Sequence, residues 1–177
     1  MLTCTVNIIN VTASGGISYL WSGGTSTSSS SNSFTSPGNY VVTVTGNNGC
    51  TATNQINISE DITSQTAIIT NLTGSTSINC HNSQIQLQAS GGTSYQWSGG
   101  NSPNTANNTI TSGGTYIVTV ESNNGCTDTE SITIAESQPL SLSLNPVSAN
   151  CGGSGGQVTS SLSGGVGTYT FIWSNGD

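Results

Sequence analysis

Ser14-Gly15-Gly16-Ile17-Ser18-Tyr19-Leu20-Trp21-Ser22-Gly23-Gly24 returns as Ser90-Gly91-Gly92-Thr93-Ser94-Tyr95-Gln96-Trp97-Ser98-Gly99-Gly100. A looser copy closes the chain: Ser163-Gly164-Gly165, then Tyr169, then Trp173-Ser174-Asn175-Gly176. Trp21, Trp97 and Trp173 are spaced 76 residues apart. A Trp on a short strand between glycine turns marks the centre of a small sandwich domain. Its recurrence at a fixed period marks a tandem array.

Working outward, residues 4–60 align with 80–136 without a gap, and about half the positions are identical. In the first copy Ile9, Val11 and Ala13 alternate with polar residues, the pattern of a half-buried strand. Ile85, Leu87 and Ala89 repeat it. Tyr19 and Trp21 lie two apart, so both side chains share one strand face. Residues 22–33 form a Ser/Gly/Thr/Asn loop, too long for a hairpin and suited to a connection between sheets. Phe34, matched by Ile110, marks a short strand before Ser36-Pro37-Gly38-Asn39.

Tyr40, Val42 and Val44 share a face of the strongest strand, and Tyr116, Val118 and Val120 copy them. Asn47-Asn48-Gly49 is a tight hairpin signal, because Asn and Gly tolerate positive φ. Ile56 and Ile58 end the last strand. With six or seven short strands and no helical period, the predicted fold is all-β: tandem immunoglobulin-like β-sandwich repeats of about 76 residues. The expected core comprises Tyr19, Trp21, Tyr40, Val42, Val44, Tyr95, Trp97, Tyr116, Val118, Val120 and Trp173. Residues 1–60 form repeat 1 without its first strand, 61–137 a complete repeat 2, and 138–177 the N-terminal part of repeat 3. Ala67-Ile68-Ile69 and Leu72 read as the first strand of repeat 2, and Leu140, Leu142 and Leu144 as that of repeat 3. The third unit, carrying Val158 and Leu162 but no partner strands, is expected to be poorly ordered alone. The chain enters and leaves partway through a repeat, which reads as an excerpt of a longer protein.

Composition narrows the function. Hydrophobic residues are 32%, a thin supply for a core, while charged residues are only 4%, which argues against charge-driven disorder. There is no Lys or Arg and the formal charge is −7. Without cationic side chains, nucleic acid and anionic lipid are poor partners. Met1-Leu2-Thr3-Cys4 lacks the basic and apolar regions of a signal peptide. No apolar run approaches the ~18 residues of a membrane-spanning helix, so no membrane insertion is expected in this segment.

The pattern of Cys, alternating strand, Gly-Gly, Tyr-x-Trp-Ser, Gly-x-Tyr-x-Val-Thr-Val and Asn-Gly-Cys-Thr resembles the Ig-like and PKD-like repeats of large Bacteroidota surface proteins. The third unit, Asn150-Cys151-Gly152-Gly153-Ser154-Gly155-Gly156 through Trp173-Ser174-Asn175-Gly176, resembles the SprB-type repeat of gliding-motility adhesins. The resemblance implies a cell-surface or secreted location, export by the type IX system and a role as an adhesin stalk. It implies no catalytic residues. This chain departs from the family in carrying Asn47 and Asn123 where an acidic residue is usual before Asn-Gly-Cys, and in lacking Lys.

There are five cysteines: Cys4, Cys50, Cys80, Cys126 and Cys151. In an exported β-array they are expected to form disulfides. Cys4 precedes the strand that descends to Gly15-Gly16, whereas Cys50 follows the hairpin at that lower end. The two therefore lie roughly 20 Å or more apart at about 3.3 Å per residue. A disulfide needs Cα atoms within about 7 Å. In an end-to-end array the top of one repeat meets the bottom of the next, which favours Cys4 with Cys126. Cys50, Cys80 and Cys151 would then bond neighbouring repeats outside the fragment. Cys4 with Cys50 and Cys80 with Cys126 is the alternative.

Other chemistry is sparse. Glu60-Asp61 and Glu136 lie at repeat junctions, but one or two carboxylates fall short of the six to eight oxygens of a calcium site. Those acids, with Glu121, Asp128, Glu130 and Asp177, read as solvated surface charge. His81, alone beside Cys80, reads as a turn residue. No metal site, cofactor or catalytic group is expected, and the chain is not expected to be an enzyme. The reading is an extracellular structural repeat, a stiff stalk in adhesion or gliding. Its partners are neighbouring repeats of the same chain or filament. A self-assembling fibre subunit, or a carbohydrate-binding module with surface glycans as partners, are the alternatives.

Overall fold

The computed structural model describes residues 1–149, 151–152, 155–165 and 167–174. Asn150, Gly153, Ser154, Asn175, Gly176 and Asp177, which figure in the sequence reading, lie outside the described residues. The described chain is all-β, without a helix.

The central unit is a complete immunoglobulin-like sandwich. One sheet holds β8 (Ile68–Asn71), β10 (Ile85–Ser90) and β12 (Asn107–Ile110), in the order β12-β10-β8. The other holds β9 (Ser77–Ile78), β11 (Ser94–Trp97), β13 (Gly114–Glu121) and β14 (Thr127–Glu136), in the order β11-β13-β14-β9. The chain crosses between sheets from β11 to β12, which is why that connection is long. β9 pairs parallel with the end of β14, Ala135 opposite Ser77 and Glu136 opposite Ile78. The first strand of the sandwich is therefore split, β8 in one sheet and β9 in the other.

Strict alternation builds the core. In β10, Ile85, Leu87 and Ala89 are buried and the residues between them exposed. They meet Ile110 of the neighbouring β12 and Trp97, Val118, Val120 and Ile134 of the facing sheet. Tyr95 and Tyr116 are half-buried and pack against the margin of this cluster.

The first unit repeats the plan. β2 (Ile9–Thr12) pairs with β4 (Ser31–Phe34), and β5 (Gly38–Thr45) lies between β3 (Ser18–Trp21) and β6 (Thr51–Ile58). β1 (Leu2–Thr3) pairs parallel with β7 (Glu60–Asp61), as β9 does with β14. This carries the last strand of the first unit one residue past the expected boundary at residue 60. The core is Leu2, Trp21, Phe34, Val42 and Ile58, with Tyr19, Tyr40 and Val44 packed half-buried against it. Phe34 takes the place of Ile110, and its ring stacks on Tyr40 with centroids 4.2 Å apart.

The third unit is one antiparallel hairpin, β15 (Ser141–Val147) with β16 (Gln157–Ser163). The expectation that Trp173 lies in a core is corrected here. Trp173 lies outside any strand and is exposed, as are Leu142 and Leu144. Trp21 and Trp97 are buried because β5 and β13 pair with their strands, and no described strand does this for Trp173.

Candidate functional site

The repeated residues hold each sandwich through matched hydrogen bonds. The indole Nε1 of Trp97 donates to Thr105 O at 3.0 Å, and that of Trp21 to Ser29 O at 2.8 Å. A buried Trp thus anchors the long connection that follows it. Both indoles are enclosed, so neither offers a face on which a sugar ring could stack. Tyr95 and Tyr19 donate to Gly92 O and Gly16 O at 2.8 and 3.1 Å. Tyr116, near the start of β13, donates back to Ser112 O at 2.9 Å, and Tyr40 to Ser36 O at 3.1 Å. This is the tyrosine corner of immunoglobulin sandwiches. Val118 and Val42 stand two residues later, where antibody domains place a cysteine, so hydrophobic packing replaces the internal disulfide.

Two buried asparagines escaped the sequence reading. Asn108 Nδ2 donates to Gly99 O at 2.7 Å, and its Oδ1 accepts from Ser102 N at 3.0 Å. Asn32 makes the same pair of bonds with Gly23 and Ser26. Gly100 and Gly24 lie flat over these amides, where a Cβ would strike the carboxamide. The sequence signal was the identity of Asn32 and Asn108 within residues 25–33, where Ser26 is the one other residue repeated in the second copy.

The joint between the first two units is the most elaborate polar feature. Cys4 follows β1 at the upper end of the first unit. Cys126 immediately precedes β14 at the lower end of the second. Their sulfurs are bonded, with Cα atoms 5.0 Å apart at a sequence separation of 122. The pairing of Cys4 with Cys50 and of Cys80 with Cys126 is thereby excluded, because each unit's cysteines lie at its opposite ends. Cys50, Cys80 and Cys151 are unbonded and exposed.

A polar clamp lies beside the disulfide. Asn124, in the hairpin before Cys126, donates from Nδ2 to Asp61 Oδ1 and to Thr63 O, both at 3.0 Å. Its Oδ1 accepts from Cys126 N at 3.1 Å. Thr63 N also donates to Asp61 Oδ1. The Asn124 amide, then the Thr63 amide, hold the Asp61 carboxyl below its usual pKa. Gly125 faces Thr5 so closely that a Cβ there would strike its side chain. A few residues on, Asp128 Oδ2 accepts from Ala67 N at 2.8 Å, fixing the start of β8 to β14. That bond, then one from Thr129 N, lowers the Asp128 pKa.

The remaining site candidates have structural places. Glu136 accepts from Gly113 N at 2.7 Å. His81 is exposed in a turn where Asn79 and Asn82 bond to each other, and its N–H donates to Asn79 Oδ1. Among the described residues no three His, Cys, Asp or Glu side chains gather into a metal-binding group.

The strand order defines an immunoglobulin-like β-sandwich array. No protein-family model matches the chain, and no curated protein matches it. Among solved structures it is similar to the amphioxus IgVJ-C2 molecule at 15% identity and a TM-score of 0.36, over 76% of this chain and 98% of that one.

Proposed function

We propose that this chain is a structural segment of an extracellular bacterial adhesin or surface filament, in which stacked sandwiches act as a stiff stalk. The observation that carries this reading is the joint: one covalent bond and an asparagine clamp tie the top of one sandwich to the bottom of the next. A tether made only of residues 62–67 would leave two sandwiches free to swing. A disulfide beside the tether gives a second attachment point and removes most hinge motion. Such an arrangement serves reach and the transmission of force. Disulfides persist in oxidising, extracellular surroundings, which fits a cell-surface location. The resemblance to Ig-like, PKD-like and SprB-type repeats supports adhesion or gliding as the setting, with type IX export.

Small-angle scattering of the oxidised and reduced chain tests the stalk reading. The oxidised chain is expected to scatter as a narrow rod, and reduction to broaden its distance distribution. Equal inter-domain flexibility in both states would overturn it.

A further inference from the structure

The joint between the first two units is built on an Asn-Gly pair. Asn124 supplies the clamp and Gly125 the turn beside it. Glycine is required because its φ is +75° and a Cβ there would strike Thr5 across the joint. Asparagine is required because a short carboxamide both accepts from Cys126 N and donates to Asp61 Oδ1 and Thr63 O. The structure thus places at its joint a dipeptide that is chemically labile.

The lability comes from the glycine. A residue that follows asparagine usually shields the Cγ carbon with its own side chain, and glycine has none. The Gly125 nitrogen can attack Asn124 Cγ and close a succinimide ring. The Cγ–Nδ2 bond then breaks, and Nδ2 leaves as ammonia with the proton given up by the Gly125 nitrogen. Water opens the ring at either carbonyl and leaves aspartate or isoaspartate. One water enters and one ammonia leaves, so the step needs no oxidant or reductant.

The closed joint opposes this reaction. Gly125 N–H donates to Ser122 O at 2.9 Å, which holds the attacking nitrogen in the turn. The Asn124 carboxamide is held at both ends, Oδ1 by Cys126 N at 3.1 Å and Nδ2 by Asp61 Oδ1 and Thr63 O at 3.0 Å each. Cγ cannot turn toward the Gly125 nitrogen until those bonds break. Asn124 is also half-buried. Asn48 and Gly49 form the same turn in the first unit, with Gly49 N donating to Gly46 O at 3.0 Å and Cys50 N to Asn48 Oδ1 at 3.1 Å. Asn48 is exposed, so it is an internal reference for the rate of the turn without a clamp.

We infer that Asn124 is a spontaneous deamidation site gated by the joint. It keeps its amide while Cys4 and Cys126 are bonded and the clamp is closed, and loses it once the joint opens. The change runs one way. It replaces the donor Nδ2 with an acceptor, so a carboxylate faces Asp61 and Thr63 O where an amide bound them. Like charges so placed repel, and the clamp does not re-form. A passing opening of the joint becomes a lasting one. The inference rests on the geometry of this joint, and it holds whether or not the chain acts as a stalk.

Peptide mass mapping tests it, following amide-to-acid conversion at Asn124 and Asn48 while the whole chain ages in a mildly alkaline buffer. In the oxidised chain Asn124 is expected to convert about tenfold or more slowly than Asn48, since the clamp bonds must open first. Reducing and capping the cysteines is expected to bring the two rates within about threefold of each other. Asp61→Ala removes one clamp acceptor and is expected to speed Asn124 about threefold or more with the disulfide intact. Asn108→Ala weakens the same sandwich away from the joint and is expected to leave the Asn124 rate unchanged. Asn124→Asp supplies the product directly, and a small thiol is expected to reduce its Cys4–Cys126 bond about threefold or more faster than the parent's, because access to the sulfurs rises. Equal rates at Asn124 and Asn48 in the oxidised chain would overturn the inference. So would no gain on reduction or from Asp61→Ala, an equal gain from Asn108→Ala, or a disulfide in Asn124→Asp that is reduced at the parent's rate.

Discussion

Cys4 and Cys126 are 122 residues apart in sequence and 5.0 Å apart between Cα atoms. Nothing within either sandwich brings them together; only the stacking of one unit on the next does. The bond is therefore a property of the array. It should affect the relative motion of the units as well as their resistance to unfolding.

Cys126→Ser is expected to lower unfolding stability by about 2–4 kcal/mol, the usual range for a disulfide closing a long loop. Thermal unfolding against the parent checks this. A loss below about 0.5 kcal/mol would show that the joint contributes little beyond the tether.

The Trp97 indole fills the core and carries one bond to the long loop. Trp97→Ala is expected to cost about 3–5 kcal/mol, as large-to-small core substitutions do. Trp97→Phe keeps most of the volume and leaves Thr105 O without its donor, so it should cost less. Paired denaturant titrations distinguish them, and equal losses would contradict the packing account.

Asn108→Ala leaves Gly99 O and Ser102 N without their buried partner. The expected cost is about 1–3 kcal/mol, the penalty of an unsatisfied buried group. Hydrogen exchange should show residues 99–106 opening faster, with β13 little changed. Uniform acceleration through the sandwich would contradict this local role.

Gly91 and Gly15 have nearly the same positive φ but different surroundings. Alanine at either is strained by its backbone conformation. At Gly91 it also displaces Thr66 O and the start of β8. Gly91→Ala should therefore lower the melting temperature clearly more than Gly15→Ala, and the reverse order in thermal melts would contradict the part given to the Thr66 contact.

Asp61 and Asp128 both have lowered pKa values in the folded chain, because amide donors favour the carboxylate. Stability from such groups is fully present above the unfolded value of about 3.9 and is lost as pH falls through the folded value. Thermal melts should thus be flat from neutral pH down to about 5 and decline below about 4. Asp128→Ala should blunt that decline, and an unaltered acid profile would count against the Ala67 contact.

Much of the fold was legible from local rules. Alternation of apolar residues marked β2 and β10, and the Asn-Asn-Gly turns marked the hairpins before Cys50 and Cys126. The Tyr-x-Trp pair marked β3 and β11, since two residues two apart share a face. Parallel pairing of β1 with β7 and of β9 with β14 was not legible. Two-residue strands carry no periodicity, and parallel partners are distant in sequence. Asn32 and Asn108 were hidden among surface asparagines, because burial of one amide depends on how the loop folds over it. Trp173 was read as core from its motif alone, yet a motif cannot supply the strands that would bury it.

By itself the sequence determined the repeat, the longer strands and the end of the sandwich at which each cysteine lies. These follow from side-chain period and strand direction, which are properties of neighbouring residues. Tertiary structure decided between the two cysteine pairings that the sequence left open, and it alone showed that Asn124 grips Asp61 and Thr63. Each depends on how separately folded units are placed against one another, and no spacing along the chain encodes that placement.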